Sequence, residues 1–210
     1  MEAIQAATAN AVKPLRRDAQ RNRERILAAA REVFAARGVH ATLDDVAARA
    51  GVGVGTVYRR FPNKDALLDE LFEERIEEVA ALAETALSDP NAWDALVGFL
   101  EGLEEVCSAD RALEHLVLHT GRSDERLARA RERLLAPIAE LVERAKADGR
   151  LRGDLDASDI RMLHTMLSAV IQETYALSPD LWRRYFTIIV DGLASERSRP
   201  STMPVPPPAG

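Results

Sequence analysis

Three glycines at alternate positions, in Gly51-Val52-Gly53-Val54-Gly55, stand between two short stretches of helical periodicity. No other feature of the chain is so restrictive. Before them, Leu43, Val46, Ala47 and Ala50 recur at the spacing of one helix face. Thr42 is placed to cap that helix, and Asp45, three residues on, can complete a capping box. Gly51 supplies the left-handed conformation that ends a helix and turns the chain. After the glycines, residues 54–60 form a second short helix. Val57, with Phe61 just beyond it, points inward, and Thr56, Tyr58, Arg59 and Arg60 point outward. Pro62 stops this helix, Asn63 caps the next, and Asp65 in its first turn complements the helix dipole. The layout is a helix-turn-helix with its second helix in the recognition position.

Gly55, Thr56, Tyr58, Phe61 and Lys64 follow the order Gly-Thr-x-Tyr-x-x-Phe-x-x-Lys. This run resembles the DNA-binding signature of the TetR family of bacterial transcriptional regulators, over residues 20–72 and more weakly beyond. The resemblance implies an all-α fold, with an N-terminal three-helix helix-turn-helix domain and a C-terminal helical domain for ligand binding and dimerisation. It implies a repressor released from a near-palindromic DNA operator by a small-molecule effector.

The formal charge of −6 is at first sight wrong for a DNA binder. Residues 1–64, however, hold 12 Lys/Arg against 6 Asp/Glu, a net of +6, and the remainder carries −12. A basic head on an acidic body confines attraction for phosphate to one part of the molecule. The 47% hydrophobic content is mostly Leu, Ala and Val, with few aromatics and no alternating β-branched runs, which points to helices throughout. Cys107 is the single cysteine, so an intrachain disulfide and a cysteine-cluster metal site are both excluded, and a reducing cytoplasm suits the chain. No apolar run approaches the roughly 20 residues that span a bilayer, and no membrane partner is expected.

In chain order, residues 1–17 contain Pro14, lack an apolar face and are expected to form a disordered arm. Arg16, Arg17, Arg21, Arg23 and Arg25 cluster at its end and on the following helix. They read either as a solvated charge run or, for Arg16 and Arg17, as an arm approaching phosphates or the minor groove. Residues 18–64 form the helix-turn-helix domain. Its first helix, over residues 18–37, presents Ile26, Val33 and Phe34 inward and ends at Gly38. Leu43, Val46, Val57 and Phe61 complete the expected core. Residues 65–197 form the body, entered by a helix reaching about residue 87. Further helices are expected from residue 92 to about 107, from 109 to 119, and from Ser123 to Gly149 with Pro137 as an internal kink. The last two are expected at 157–176 and 179–196. Residues 198–210 are Pro-rich and expected to be disordered.

By matching position, the resemblance makes Thr42, Thr56, Tyr58 and Lys64 phosphate contacts. Val54, Gly55, Arg59 and Arg60 fall where base edges would be read. Arg59 leads as a base reader because a guanidinium can hold a guanine edge by two hydrogen bonds, but a phosphate role is open to it. In the body, Trp93, Leu96, Leu100, Cys107, His115, His119, Leu134, Ile138, Met162, Met166 and Tyr175 are each either core or effector contact. Leu163, Leu167, Val170, Ile171, Trp182, Tyr185, Phe186, Ile189 and Leu193 crowd the last two helices, and they serve the chain's own core or a four-helix dimer bundle. The resemblance favours a homodimer.

His115 and His119 lie one helical turn apart, a spacing used by zinc sites, but the zincin pattern requires Glu where Leu116 stands. Neither a nucleophile-base-acid order nor a phosphate loop is convincing, and the glycine run does not follow a strand. No enzymatic activity and no cofactor are expected. The alternative to a regulator is a helical protein-interaction module that does not bind DNA sequence-specifically.

Overall fold

A computed structural model describes residues 2–108 and 125–194. The side chains of residues 2–17, 39, 125–128, 130 and 131 lie outside that description. The expectations for residues 109–119, including His115 and His119, for the Ser123 cap and for the tail therefore fall outside the described residues. Those described form an all-α protein with helices α1 (Glu2–Arg37), α2 (Leu43–Ala50), α3 (Val54–Arg60), α4 (Lys64–Ala86), α5 (Ala92–Ser108), α6 (Glu125–Ala147), α7 (Ala157–Thr174) and α8 (Trp182–Leu193). They fall into two compact units, parting between Phe72 and Glu73 within α4.

In the N-terminal unit α2 packs against both α1 and α3. Ile26, Leu27, Ala30 and Phe34 of α1 are buried, together with Val46, Ala47, Val57, Phe61, Leu67 and Leu71. The core residues expected from periodicity are all among the buried ones. The backbone of residues 2–17 continues α1 instead of forming a separate arm. Its Ala-rich run, with alanines at positions 3, 6, 7, 9 and 11, has the highest helix propensity available, which offsets the disruptive Pro14. A 3₁₀ turn over Gly38–His40 leads into α2.

The C-terminal unit has its own core. Trp93, Leu96, Phe99, Leu100, Leu103 and Cys107 of α5 pack with Ile138, Leu141, Val142 and Ala145 of α6, Ile160, Leu167 and Ile171 of α7, and Trp182, Phe186 and Leu193 of α8. Two polar devices tie it together. Arg144 of α6 donates to the carbonyls of Leu87 and Asp89, each at 2.6 Å, so the orphan carbonyls after α4 are satisfied. The segment after α6 is fastened to the end of α8 by an antiparallel bridge between Leu151 and Ala194, where Arg152 N donates to Leu193 O at 3.0 Å. Helix α6 continues through Pro137. Helix α8 begins at Trp182, later than expected, because Ser178 and Asp180 engage in three-residue turns to Leu181 and Arg183. Among the described residues no helix is long and apolar enough to cross a membrane.

Helix α7 starts from a reciprocal cap that periodicity did not reveal. The Asp156 carboxylate accepts from Ser158 N at 2.8 Å, while Asp159 accepts from Asp156 N at 2.7 Å. The hydrogen bond from the Ser158 backbone, above all, holds the Asp156 carboxyl below the ordinary aspartate range. A carboxyl so depressed stabilises the folded state above its unfolded pKa of about 3.9, and that contribution disappears as pH falls through the lower folded value. Asp156→Ala should therefore cost about 1 kcal/mol at neutral pH in chemical denaturation of the body. Asp156→Asn should keep most of the cap and lose this group's share of the acid-side decline.

Candidate nucleic-acid interface

Recognition by a helix-turn-helix requires a second helix whose outer face is free and whose inner face is firmly held. Helix α3 is only seven residues long and no side chain caps its start at Gly53. It cannot persist by intrinsic propensity. Its inner anchors are Val57, fully buried, and Phe61, 2% exposed. Phe61 N also closes the last turn onto Val57 O at 2.7 Å. The outer face is Val54, Gly55, Tyr58, Arg59 and Arg60, all exposed. Thr56 is half-buried.

Helix α2 supports this face. Thr42 and Asp45 form the expected capping box, with Thr42 Oγ1 accepting from Asp45 N at 3.2 Å and Asp45 accepting from Thr42 N at 3.0 Å. The Thr42 hydroxyl also donates to Asp45 at 2.7 Å. These bonds, aided by an ion pair with Arg37, hold the Asp45 carboxyl below its ordinary range. Gly51 adopts φ 63° and ψ 39°, which lets its own N–H and that of Val52 return to carbonyls of α2.

The electrostatics of the face are mixed. Tyr58, 46% exposed, has the Asp44 carboxylate beside it, which raises its phenol above the ordinary value. The hydroxyl therefore stays protonated and able to donate. Lys64 opens α4 with its ammonium 5.3 Å from the centroid of the Phe34 ring, and partial burial lowers its pKa. The helix start behind it is capped by Asn63, which accepts from Ala66 N at 2.8 Å. Of the arginines that cluster on α1, Arg21 lies 3.9 Å from Asp18 at the exposed surface, and two others reach elements beyond α1. Arg23 pairs with Glu70 at 2.7 Å, and Arg25 donates to Ala50 O at 2.6 Å. The side chains of Arg16 and Arg17 lie outside the described residues.

In the body, the nine candidate effector contacts among the described residues do not come together. Trp93, Leu96, Leu100, Cys107 and Ile138 are core, with Leu134 packed against them. Met162, Met166 and Tyr175 are exposed and apart from that core. The inward stripe of α7 follows Ile160, Leu167 and Ile171, and Met162, two positions past Ile160, lies roughly 200° around the helix from it. The interface candidates divide as well. Leu167, Ile171, Trp182, Phe186 and Leu193 fill the chain's own core, and Leu163, Val170 and Ile189 are half-buried. The five buried side chains thus serve the chain's own core, one of the two roles open to them, while the three half-buried ones keep part of their surface outside it. Tyr185 is exposed, as is Ile188, which the sequence reading passed over. Also missed was a polar cluster inside the body. Glu104, 2% exposed, has His164 Nδ1 at 3.0 Å, and Ser168 Oγ lies 3.4 Å from His164 Nε2. Two polar residues four apart on the inner side of α7 were the available signal.

Gly55 is informative because nothing in the protein requires it. A Cβ built there meets no atom within 4 Å. Glycine inside a helix costs about 1 kcal/mol relative to alanine, and close approach of a ligand backbone is the physical reason to keep one. Gly55→Ala should raise the head's stability by up to about 1 kcal/mol in thermal unfolding while weakening its binding to duplex DNA.

Comparison with known proteins agrees with this geometry. Residues 26–71 match the family described as bacterial regulatory proteins, tetR family, and residues 90–195 match the C-terminal domain described as transcriptional regulator SbtR-like. The HTH-type transcriptional regulator SrpR of Pseudomonas putida is 30% identical over 146 residues, covering 66% of this chain and 68% of the relative. UidR of Escherichia coli, another HTH-type transcriptional regulator, is 26% identical over 165 residues, or 78% and 83% of the two chains. The crystal structure of a TetR transcription regulatory protein from Mycobacterium vanbaalenii superposes with a TM-score of 0.63 at 34% identity, covering 86% of this chain and 99% of that one. With its helix-turn-helix, its exposed recognition face and these matches along most of its length, the chain belongs to the TetR family and is a DNA-binding transcriptional regulator.

Proposed function

We propose that the protein is a homodimeric repressor of the bacterial cytoplasm, released from a near-palindromic operator by a small-molecule effector, without catalysis or a cofactor. The observation that carries the DNA half of this reading is the division of α3 into an enclosed side, Val57, and an open side ending in Arg59 and Arg60. In the complex, Arg59 reads a base edge and Arg60, Val54 and Gly55 adjoin it in the major groove. Thr42, Thr56, Tyr58 and Lys64 hold phosphates and set the register. Lys64 begins partly buried against Phe34 and reaches the backbone by extending its stem.

One head of this size covers too little DNA for tight and selective binding. Two heads on successive major grooves, about 34 Å apart, require a fixed dimer. The support for one is an apolar surface on the last two helices: Met162 at 43%, Met166 and Ile188 at 58% each, and Tyr185 at 41% exposed. Met162 and Met166 lie one turn apart on α7, as do Tyr185 and Ile188 on α8, so each helix presents a stripe. Contiguous apolar stripes of this kind mark association surfaces. The effector then enters the body near Trp93, Leu96, Leu100, Leu134 and Ile138 and favours a head spacing that mismatches the operator. Such coupling is worth typically about 1–3 kcal/mol and is reciprocal, so bound DNA must lower effector affinity by the same factor.

Gel-shift titration over a range of salt concentrations, on a duplex selected by the protein from a random library, tests the DNA reading. Affinity should fall steeply as salt rises. Lys64→Ala should reduce the salt slope by about 1 on all sequences, and Arg59→Ala should relax preference at one base position. If both variants bind the selected duplex as the parent does, the roles given to these residues are wrong. For the assembly, Ile188→Glu should halve the mass seen in sedimentation while leaving the helical content unchanged. An unaltered mass would remove this face from the interface.

A further inference from the structure

The turn that aims the recognition helix has no side-chain cap of its own. The carbonyls of Ala47 and Ala48 are met by the N–H groups of Gly51 and Val52. Those of Ala50 and Gly51 are left at the helix end, where acceptors are normally orphaned. Arg25, half the head away in sequence, supplies their donor. Its Nη2 lies 2.6 Å from Ala50 O and 3.4 Å from Gly51 O. A cation at this position also complements the negative end of the α2 dipole. The fit is close, since a Cβ added at Gly51 would stand 3.3 Å from the same nitrogen. Downstream, α3 begins at an uncapped glycine, has another at Gly55, and is seven residues long. Val57 and Phe61 fix its depth in the head. With so few anchors inside α3, its pitch depends on the turn that feeds it.

We infer that Arg25 is a positioning residue for sequence reading: it clamps the Ala50-Gly51 turn so that α3 presents Arg59 and Arg60 at a fixed angle, and it makes no phosphate contact. A basic residue at the start of a DNA-binding domain invites the opposite reading, as part of the electrostatic footprint. The two roles differ in what they predict. A phosphate contact adds to affinity for every duplex and to the salt slope, whereas a positioning residue adds only to the margin between the right sequence and the wrong one.

The inference rests on the DNA-reading function proposed above, so its test has one arm that needs no DNA. In the full-length protein, Arg25→Gln should speed hydrogen exchange at the amides of Val52, Thr56 and Val57 by about tenfold, with the amides of Leu67 to Leu71 unchanged. Unchanged exchange in the turn would overturn the clamp whether or not the chain reads DNA. In the second arm, binding is measured against salt for a duplex selected by the parent protein and for an unrelated duplex of equal length. Arg25→Gln should weaken the selected duplex by about tenfold and the unrelated one by less than about twofold, with both salt slopes kept. Equal weakening of both duplexes with a slope reduced by about 0.9 would make Arg25 a phosphate contact and refute the inference. Should the glutamine variant fail to fold, Arg25→Lys decides the matter. The lysine stem is shorter and its ammonium lacks the rigid planar fork that holds Nη2 against the two carbonyls, so preference for the selected duplex should be lost in part, with the slope unchanged. A lysine variant as selective as the parent would refute the clamp.

Discussion

The DNA-reading surface depends on one small buried patch, Val57 and Phe61, which are enclosed in the head together with Phe34 and Val46. A helix of seven residues has too few internal hydrogen bonds to repay its nucleation. It exists because two side chains on one side are enclosed, and the remaining positions are thereby free to face outward. Burial of roughly 1.5–3 kcal/mol per large apolar side chain is of the size needed to hold it. The exposed arginines, tyrosine and glycine of α3 have their positions only through that hidden pair.

Around this anchor the head distributes charge with some economy. Arg23 and Arg25, which count toward its basic excess, spend their donors on Glu70 and on the α2–α3 turn. Arg37 and Arg49 pair with Asp45 and Glu32. What α3 itself leaves exposed is therefore a smaller set, the cations Arg59 and Arg60, with Tyr58 as a neutral donor made harder to ionise by Asp44. Net charge is a long-range property and draws DNA toward the head as a whole. Local pairing decides which side chains remain to touch it.

The body shows how an apolar stripe can be ambiguous. Both candidate lists drawn for it contained residues that are apolar and on helices, and no one-dimensional pattern tells a side chain facing its own core from one facing a second subunit. On α7 the inward line runs through Ile160, Leu167 and Ile171, and the outward one through Met162 and Met166. Both are hydrophobic. The buried Glu104 and its neighbour His164 escaped notice for a related reason: on helices already rich in charge, two more polar residues do not stand out.

From the sequence alone came the helical class, the position of the helix-turn-helix, the core of the head, the Thr42 capping box, the stop at Gly51 and the family signature. These are set by neighbours within a few residues, through spacing, capping chemistry and the left-handed turn, and such short-range rules are written directly into the order of residues. Tertiary structure decided which arginines are structural, how far α1 extends toward the N-terminus, which half of the apolar residues on α7 and α8 is enclosed, and that Glu104 is buried beside His164. Apart from the reach of α1, which follows its local alanine content, these turn on a partner distant in the chain, such as Arg25 with Ala50 or Glu104 with His164, and contacts across 25 or 60 positions leave no periodic trace in the sequence.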